Sequence, residues 1–320
     1  MIINMPLACR RIFLSVLILS ISVLLGCNSE TAIPVEPNKP ALPSSTLIEE
    51  SINDRATKEP PATTTTKQSA ASRVTGWAVL AAKEDYSDTG GTDIKTGFLN
   101  LHQMKALLAY YGWEDGQILE IRDNLGMAEI RAALDWLEQV AEEDDLVLFF
   151  IQSHSSYLRD GLEWHSFFPD EWAEIVSDRR VLIVEACQAG EFTASTAGDT
   201  SRQLTIASSA ADELGWVGLW EEGKPIIGGV FSHYFLSAFT DPTADADGSG
   251  QISIQEAAIA AQEPQRSYMH EVIFTVPEFL EGYHANGFYP ETDPEFPHVV
   301  ISDQLGEPVY LDLQAFSVKE

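Results

Sequence analysis

Two residues with a nucleophilic and a basic side chain follow the two most apolar segments of the chain. His154 comes shortly after Leu146–Ile151, and Cys187 comes shortly after Val181–Val184. A thiolate attacks carbonyl carbon, and a neighbouring imidazole helps to generate the thiolate and protonates a leaving amine. The pair therefore has the chemistry of a cysteine hydrolase, provided that the fold brings the two segments side by side.

The elements that must position this pair are indicated by hydrophobic periodicity. Helical spacing predicts helices over Leu99–Tyr111, Met127–Val140 and near Val230–Phe239. Short apolar runs predict strands at Trp77–Ala82, Gln117–Ile121, Asp145–Gln152, Val181–Val184, Leu204–Ser208, Val299–Ile301 and Val309–Leu313. Because strands alternate with helices, the sequence predicts an α/β fold with a mostly parallel sheet. Sites in such sheets form at the carboxyl ends of strands, where both candidate residues lie.

Overall charge excludes some classes of partner. The chain carries 49 acidic against 19 basic residues, a formal net charge of −30. Nucleic-acid binding depends on neutralising phosphates, so we expect no nucleic-acid partner. The same charge disfavours adhesion to an anionic lipid surface.

Residues 1–26 have the pattern of an export signal, in which Arg10 and Arg11 precede the apolar run Ile12–Leu25. The run ends in Gly26-Cys27 and resembles the bacterial lipobox. This resemblance implies a lipid on Cys27, a lipid-anchored protein of the cell envelope, and a domain facing the periplasm or the cell exterior. An ordinary signal peptide or an uncleaved anchor with a chance cysteine is the alternative.

Residues 27–73 separate this anchor from the globular part. They are rich in proline and threonine and contain no aromatic residue, so they cannot bury enough apolar surface to order themselves. We expect a disordered tether, and a pro-segment lying over the active site is the alternative. With Cys9 removed and Cys27 modified, Cys187 is the remaining free thiol. A buried structural cysteine is the alternative, but the Gly-containing turn after Cys187 favours a nucleophile.

The segments around both candidate residues resemble a known family. Val184–Gly190 resembles the cysteine motif of the caspase-like superfamily, especially its legumain-type peptidases, and Asp145–Phe150 leading into His154 resembles the strand before the family's histidine. The resemblance implies a caspase-like three-layer sandwich over residues 74–262. It implies a cysteine endopeptidase with a Cys187–His154 dyad, acting on peptides or proteins without an organic cofactor.

The resemblance also assigns supporting roles. The backbone N–H groups of Ser155 and Cys187 would bind the oxyanion, although the family usually has glycine where Ser155 stands. This departure keeps open a catalytically silent binding module on the same fold. A cysteine hydrolase or transpeptidase with a different substrate is a third hypothesis. His165 and His233 compete with His154 for the role of the base.

Substrate-binding residues are also carried over from the family. Glu185 matches the acid that lines the pocket for P1, the substrate residue before the cleaved bond, and its alternative role is to cap local backbone groups. Ser208, Ser209 and Asp212 lie in a segment that resembles the substrate-binding strand and its loop. Together they indicate a basic P1 residue or an Asn, while a solvated loop is the alternative for Asp212.

A calcium loop is indicated by the spacing of oxygen-bearing residues over Asp245–Glu256. Acids or hydroxyls stand at positions 1, 3, 5 and 9 of this segment, with Gly at 6 and Glu at 12, as in an EF-hand. The predicted ligands are Asp245, Asp247, Ser249, the carbonyl of Gln251, and Glu256. We expect Ca²⁺ in a structural or regulatory role, and a metal-free acidic turn is the alternative. Residues 263–320 are expected to pack on the domain as an extension.

Overall fold

The structure is a computed structural model that describes residues 74–88, 93–154, 168–196, 202–218, 228–285 and 288–314. The predicted signal, Cys27, the tether, Ser155 and His165 lie outside these ranges. Among the described residues, no helix is both long enough and apolar enough to cross a membrane.

One six-stranded sheet organises the fold, with strand order β2-β1-β3-β4-β5-β6. The first five strands are parallel, and β6 runs antiparallel to β5. The strands are β1 (Gly76–Ala82), β2 (Ile118–Arg122), β3 (Leu146–Gln152), β4 (Arg179–Glu185), β5 (Gln203–Ala207) and β6 (Val300–Asp303). The predicted α/β class with a mostly parallel sheet is therefore confirmed.

Helices cover both faces of the sheet. They are α1 (Gly97–Tyr110), α2 (Met127–Val140), α3 (Phe168–Ala173), α4 (Gly190–Thr196), α5 (Val230–Ala238), α6 (Ile254–Glu271) and α7 (Pro277–Ala285). One apolar core joins the sheet to α1, α5, α6 and α7, and the other joins it to α2, α3 and α4. The central residues of the inner strands β3 and β4 are all apolar because alternate side chains enter opposite cores.

One predicted strand is wrong. Val309–Leu313 is not a strand, although Val309 and Leu311 are buried in the core beside α6. The backbone of Val309 bonds to the start of α6 instead, accepting from Ile254 N–H at 2.7 Å and donating to the Gln255 side chain at 3.0 Å. Because the N–H and the carbonyl of Val309 both have hydrogen-bond partners at the start of α6, this residue does not require pairing with another strand.

The C-terminal region belongs to the same core as the sheet. The expected boundary between residues 262 and 263 falls inside α6, which continues through Pro264 to Glu271. Tyr283 of α7 and Phe296 also lie in the core formed by α1, α5 and α6. The C-terminal residues thus contribute to the interior of the domain.

Candidate active site

The register of β3 and β4 places the two candidate residues at the same sheet edge. The last pair of the two strands is Gln152 with Glu185, and Ser153 N–H donates to the Glu185 carbonyl at 3.2 Å. His154 and Cys187 each follow this pair by two residues. The prediction that the two strands are neighbours is confirmed, and the histidine and cysteine leave the sheet at matching positions.

Tyr86 holds the chain at His154. The backbone N–H of buried His154 donates to the Tyr86 hydroxyl at 2.8 Å, and the two rings pack edge to face with centroids 4.5 Å apart. Tyr86 follows β1, which pairs with β3, so it reaches the same edge of the sheet. Tyr86 is not among the residues predicted from the sequence, although its position just after the predicted first strand was a usable signal.

The thiol of Cys187 faces the segment that follows β5. Its Sγ lies 3.9 Å from the Gly215 carbonyl oxygen, and the side chain is partly exposed. Burial of the sulfur raises the pKa of the Cys187 thiol, and contacts with the backbone of Gly215 and of Cys187 itself offset this rise in part. The neutral thiol is therefore favoured in this arrangement.

The turn that carries Cys187 is fixed by its neighbours. Gln188 has the left-handed φ of 56°, and its N–H donates to the Glu213 carbonyl at 2.6 Å. Within the described ranges, the N–H of Cys187 donates to no carbonyl. Binding of an oxyanion by this N–H remains a prediction, and the same N–H also acts to lower the pKa of the Cys187 thiol.

Ser209 organises this turn from the end of β5. Its buried hydroxyl donates to the Ala186 carbonyl at 3.1 Å and accepts from Ala189 N–H at 3.3 Å. Ser208 is also buried, and its N–H donates to the Val184 carbonyl at 2.9 Å. Asp212 is exposed. Contacts of Ser208, Ser209 and Asp212 with a substrate remain predictions. The side chains of Ser208 and Ser209 are buried in the protein interior.

Glu185 is buried between β4 and the start of α5. Its carboxylate accepts from Phe231 N–H at 3.0 Å and from Ser232 N–H at 3.4 Å, and the Ser232 hydroxyl also donates to it. The Asn100 side-chain amide approaches it at 3.4 Å. These contacts cap a helix N-terminus, which is the alternative role given by the sequence, while a role in the P1 pocket remains a prediction.

The pKa of Glu185 reflects this burial. Loss of hydration raises the pKa from 4.5 to about 7, although hydrogen bonds from Ser232 and Phe231 act in the opposite direction. Gly229 lies so close that a Cβ at this position would overlap the carboxylate. The carboxyl group therefore ties the end of β4, two residues before Cys187, to helix α5.

A second set of residues that the sequence analysis missed comes from the C-terminal region. The Trp216 indole N–H donates to the Tyr283 hydroxyl at 2.7 Å, and the two rings stack with centroids 5.5 Å apart. Glu213 accepts from both the N–H and the ring Nδ1 of His298, at 2.9 and 2.5 Å. These partners are 67 and 85 residues apart in sequence, so no local pattern could have revealed them.

His233 is the fourth residue of α5, the helix whose N-terminus bonds to Glu185. It is fully buried, and neither ring nitrogen has a hydrogen-bond partner among the described residues. Burial lowers the pKa of His233 to about 4, so its ring is neutral near neutral pH. The sheet register thus favours His154 over His233 as the base.

The predicted calcium loop places its acids together. One carboxylate oxygen from each of Asp245, Asp247 and Glu256 lies within 4.8 Å of the others. Gly248 has the left-handed φ of 71° that the sharp turn of such a loop requires. The Glu256 carboxylate also accepts hydrogen bonds from the N–H groups of Ala246 and Asp247, so an ion would compete with backbone donors for these oxygens.

Comparison of the chain with protein-family models and with curated proteins finds no match. The geometry of the sheet edge and the residues there are what indicate the function.

Proposed function

We propose that this protein is a cysteine endopeptidase with a caspase-like fold, in which Cys187 is the nucleophile and His154 is the base. One observation carries the proposal: β3 and β4 are paired so that both residues leave the sheet two positions after the last pair, Gln152 with Glu185. Adjacent strand ends are where a thiol and an imidazole can come together as a dyad, and this register supports the proposal. The strand order and the helices on both faces are compatible with the caspase-like sandwich.

The proposed reaction uses groups on this edge. His154 takes the thiol proton, and the Cys187 sulfur attacks the peptide carbonyl to form a tetrahedral intermediate. The N–H of Cys187 donates to the oxyanion, together with that of Ser155 in our proposal. Return of the proton from His154 to the leaving amine gives the acyl-enzyme, which water then hydrolyses.

Specificity for a basic or Asn P1 residue is part of the proposal. The protein is strongly acidic, which favours basic peptides as substrates. Asp212 is exposed beside Glu213, whereas Glu185 is engaged with the start of α5. Asp212 is therefore the better candidate of the two predicted acids for contact with a basic side chain.

Membrane attachment and calcium complete the proposal. A lipid on Cys27 would hold the protein at the cell envelope through the tether of residues 27–73. Calcium would bind at Asp245, Asp247, Ser249, Gln251 and Glu256 and would stabilise the turn before α6.

The second candidate function is a binding module without catalysis. The observation in its favour is the raised pKa of the Cys187 thiol, which leaves the nucleophile protonated unless another group stabilises the thiolate. Such a module would keep the fold and the calcium loop but would not react with electrophilic substrate mimics.

Covalent labelling separates the two candidates. The full chain is treated with peptidyl acyloxymethyl ketones that carry Arg, Lys, Asn or Asp at P1, with and without calcium. We expect labelling at Cys187 that is lost in Cys187→Ala and strongly reduced in His154→Ala, with Arg, Lys or Asn preferred. The matched control is His284→Ala, which removes an exposed histidine in α7 and is expected to label normally. Absence of labelling in the folded protein under every condition would favour the binding module.

A further inference from the structure

Tyr86 contacts the candidate base with both its hydroxyl and its ring. The hydroxyl accepts a hydrogen bond from the backbone N–H of His154 at 2.8 Å. The ring packs edge to face on the imidazole, with centroids 4.5 Å apart and planes at 62° to each other. Tyr86 is fully buried, and His154 is buried as well. One side chain thus contacts both the backbone and the ring of the residue that must take the thiol proton.

The hydroxyl acts beyond the end of the paired strands β1 and β3. Their last pair is Ala82 with Gln152, and the Lys83 N–H extends the ladder by one bond, to the Gln152 carbonyl at 3.3 Å. His154 lies two residues past this last pair. The Tyr86 hydroxyl therefore holds the backbone of His154 at a point that the paired residues of β1 and β3 do not reach.

Polar contacts hold the segment that carries Tyr86. Its backbone N–H donates to the Asp93 carboxylate at 3.0 Å. The N–H groups of Glu84 and Asp85 both donate to the Asp123 carboxylate, which follows β2, at 2.9 and 3.0 Å. Because the segment after β1 is tied to two other parts of the chain, the Tyr86 ring is a fixed surface against which the imidazole packs.

A buried cation adds to this support. The Lys83 side chain is almost completely buried, and its ammonium lies over the Tyr86 ring, 5.2 Å from the centroid. The ammonium also donates to both carboxylate oxygens of Asp88, at 2.7 and 2.9 Å. A buried charge is costly unless it is paired, and a cation over an aromatic ring is attracted to it. Lys83 therefore restrains the ring of Tyr86 from within the same segment.

We propose that Tyr86, restrained by Lys83, is a positioning residue that orients the His154 imidazole for proton transfer from the Cys187 thiol. The inference rests on the proposed function, because it takes His154 as the base and Cys187 as the nucleophile. The hydroxyl fixes the backbone of the histidine, and the ring fixes the plane of the imidazole. A small displacement of a catalytic group lowers the reaction rate strongly, so this orientation should matter for the reaction.

The first test measures the reaction in Tyr86→Phe, which removes the hydroxyl and keeps the ring. The rate at which peptidyl acyloxymethyl ketones with Arg or Asn at P1 label Cys187 is measured in the full chain against probe concentration. We expect the limiting rate to fall about tenfold, while the half-saturating concentration stays unchanged because contacts with the probe are not altered. The matched control is Tyr289→Phe, which removes an exposed hydroxyl and should label at the parent rate.

The second test uses NMR spectroscopy, which reports the orientation of the imidazole without requiring any reaction. In the full chain with isotope-labelled histidine, the ring signals of His154 are those that are absent from His154→Ala. Because Phe keeps the aromatic ring, a changed chemical shift of the His154 ring protons in Tyr86→Phe reports a movement of the imidazole relative to that ring. We expect these signals to shift in Tyr86→Phe and to stay unchanged in Tyr289→Phe.

The two measurements separate this inference from the proposed function. If no probe labels the parent protein, the peptidase proposal fails and the His154 signals decide the inference: movement in Tyr86→Phe supports it, and no movement overturns it. If the parent protein is labelled, a parent-like limiting rate or parent-like signals in folded Tyr86→Phe overturn the inference while the peptidase proposal stands. If Tyr86→Phe does not fold, Lys83→Met decides by the same criteria, because loss of the ammonium over the ring should also move the imidazole.

Discussion

At the residue scale, the site is defined by what surrounds each polar group. Glu185 is two residues from Cys187, yet its oxygens point to backbone N–H groups of α5 and to Ser232. Its position in the sequence indicates substrate recognition, whereas its contacts are those of a buried group that caps the N-terminus of α5. A carboxyl group in this environment makes the stability of the fold depend on pH.

Replacing Glu185 with Gln tests this dependence. The folded pKa is raised from 4.5 to about 7, so its stabilising contribution is complete below about pH 4.5 and is lost as the pH rises through about 7. Glu185→Gln cannot ionise, so we expect it to gain stability relative to the parent protein between about pH 5 and about pH 8, by as much as about 3 kcal/mol. Urea unfolding at both pH values measures the difference.

The matched control is Glu281→Gln, which changes an exposed glutamate of α7. We expect the same stability difference from the parent protein at both pH values. If Glu185→Gln behaved like this control, the assignment of a raised pKa to Glu185 would be wrong.

At the element scale, the site depends on two loops in direct backbone contact. Gly215 has no room for a side chain because its neighbours are the backbone atoms of Ala186 and Cys187. Backbone atoms cannot move aside as the end of a flexible side chain can. A substitution here must therefore shift the turn that carries the candidate nucleophile.

We expect Gly215→Ala to destabilise the fold by about 1–3 kcal/mol, the usual cost of overpacking, and to change the alkylation rate of Cys187. Gly116→Ala is the matched control, since a Cβ there meets nothing within 4 Å. This control should leave the alkylation rate unchanged and the midpoint of thermal unfolding equal or slightly higher. Parent-like values of both measurements in Gly215→Ala would contradict the close packing of the two loops.

The calcium loop joins the start of α6 to the C-terminal segment. The side-chain amide of Gln251, in the middle of the loop, donates to Asp312 at 3.4 Å, and Ile254 N–H donates to the Val309 carbonyl. Glu256 also caps α6 through Ser253, so one side chain serves both the helix and the proposed ion. Metal binding here would stabilise the folded state as a whole.

Calcium at about 100 times its dissociation constant should stabilise the protein by about 2.7 kcal/mol and raise the midpoint of thermal unfolding by several degrees. Glu256→Gln keeps a side chain that can cap helix α6 but removes a negative charge from the ligands of the ion. We therefore expect most of this rise in the unfolding midpoint to disappear. Glu263→Gln changes an exposed acid of the same helix and should preserve the rise. An equal response of the parent protein and Glu256→Gln would rule out the loop as the calcium site.

Local sequence patterns predicted the helices and strands better than they predicted the contacts between these elements. Met127–Val140 is the predicted helix with the same bounds, because its apolar period is complete within the segment. The pairing of Val309 with the start of α6 and that of Trp216 with Tyr283 join distant parts of the chain, so no local periodicity could predict them. His154 and Cys187 were found because the ends of two buried parallel strands can be recognised in the sequence.

At the scale of the whole molecule, the proposal combines an acidic domain with a lipid anchor. The net charge of −30 opposes attachment through anionic lipid, so a membrane-bound form needs another source of affinity. The lipid that the lipobox resemblance predicts on Cys27 would provide one. The tether would then let the active site reach substrates away from the membrane.

Metabolic labelling with a fatty-acid analogue tests the anchor. We expect the parent protein to incorporate the label and to partition with membranes, and Cys27→Ala to lose the label. Cys9→Ala is the matched control, because Cys9 lies within the predicted signal and should not matter for labelling. Equal labelling of Cys27→Ala would contradict a lipid at this residue.

The central claim is that Cys187 and His154 together cleave peptide bonds. Its most direct test is to incubate the full chain, in calcium, with a peptide mixture that offers every residue at P1, and to identify the new termini by mass spectrometry. The account predicts cleavage after basic or Asn residues that is abolished in Cys187→Ala and His154→Ala but kept in His284→Ala. Cleavage that persists in Cys187→Ala, or no cleavage by the folded parent protein, would contradict it.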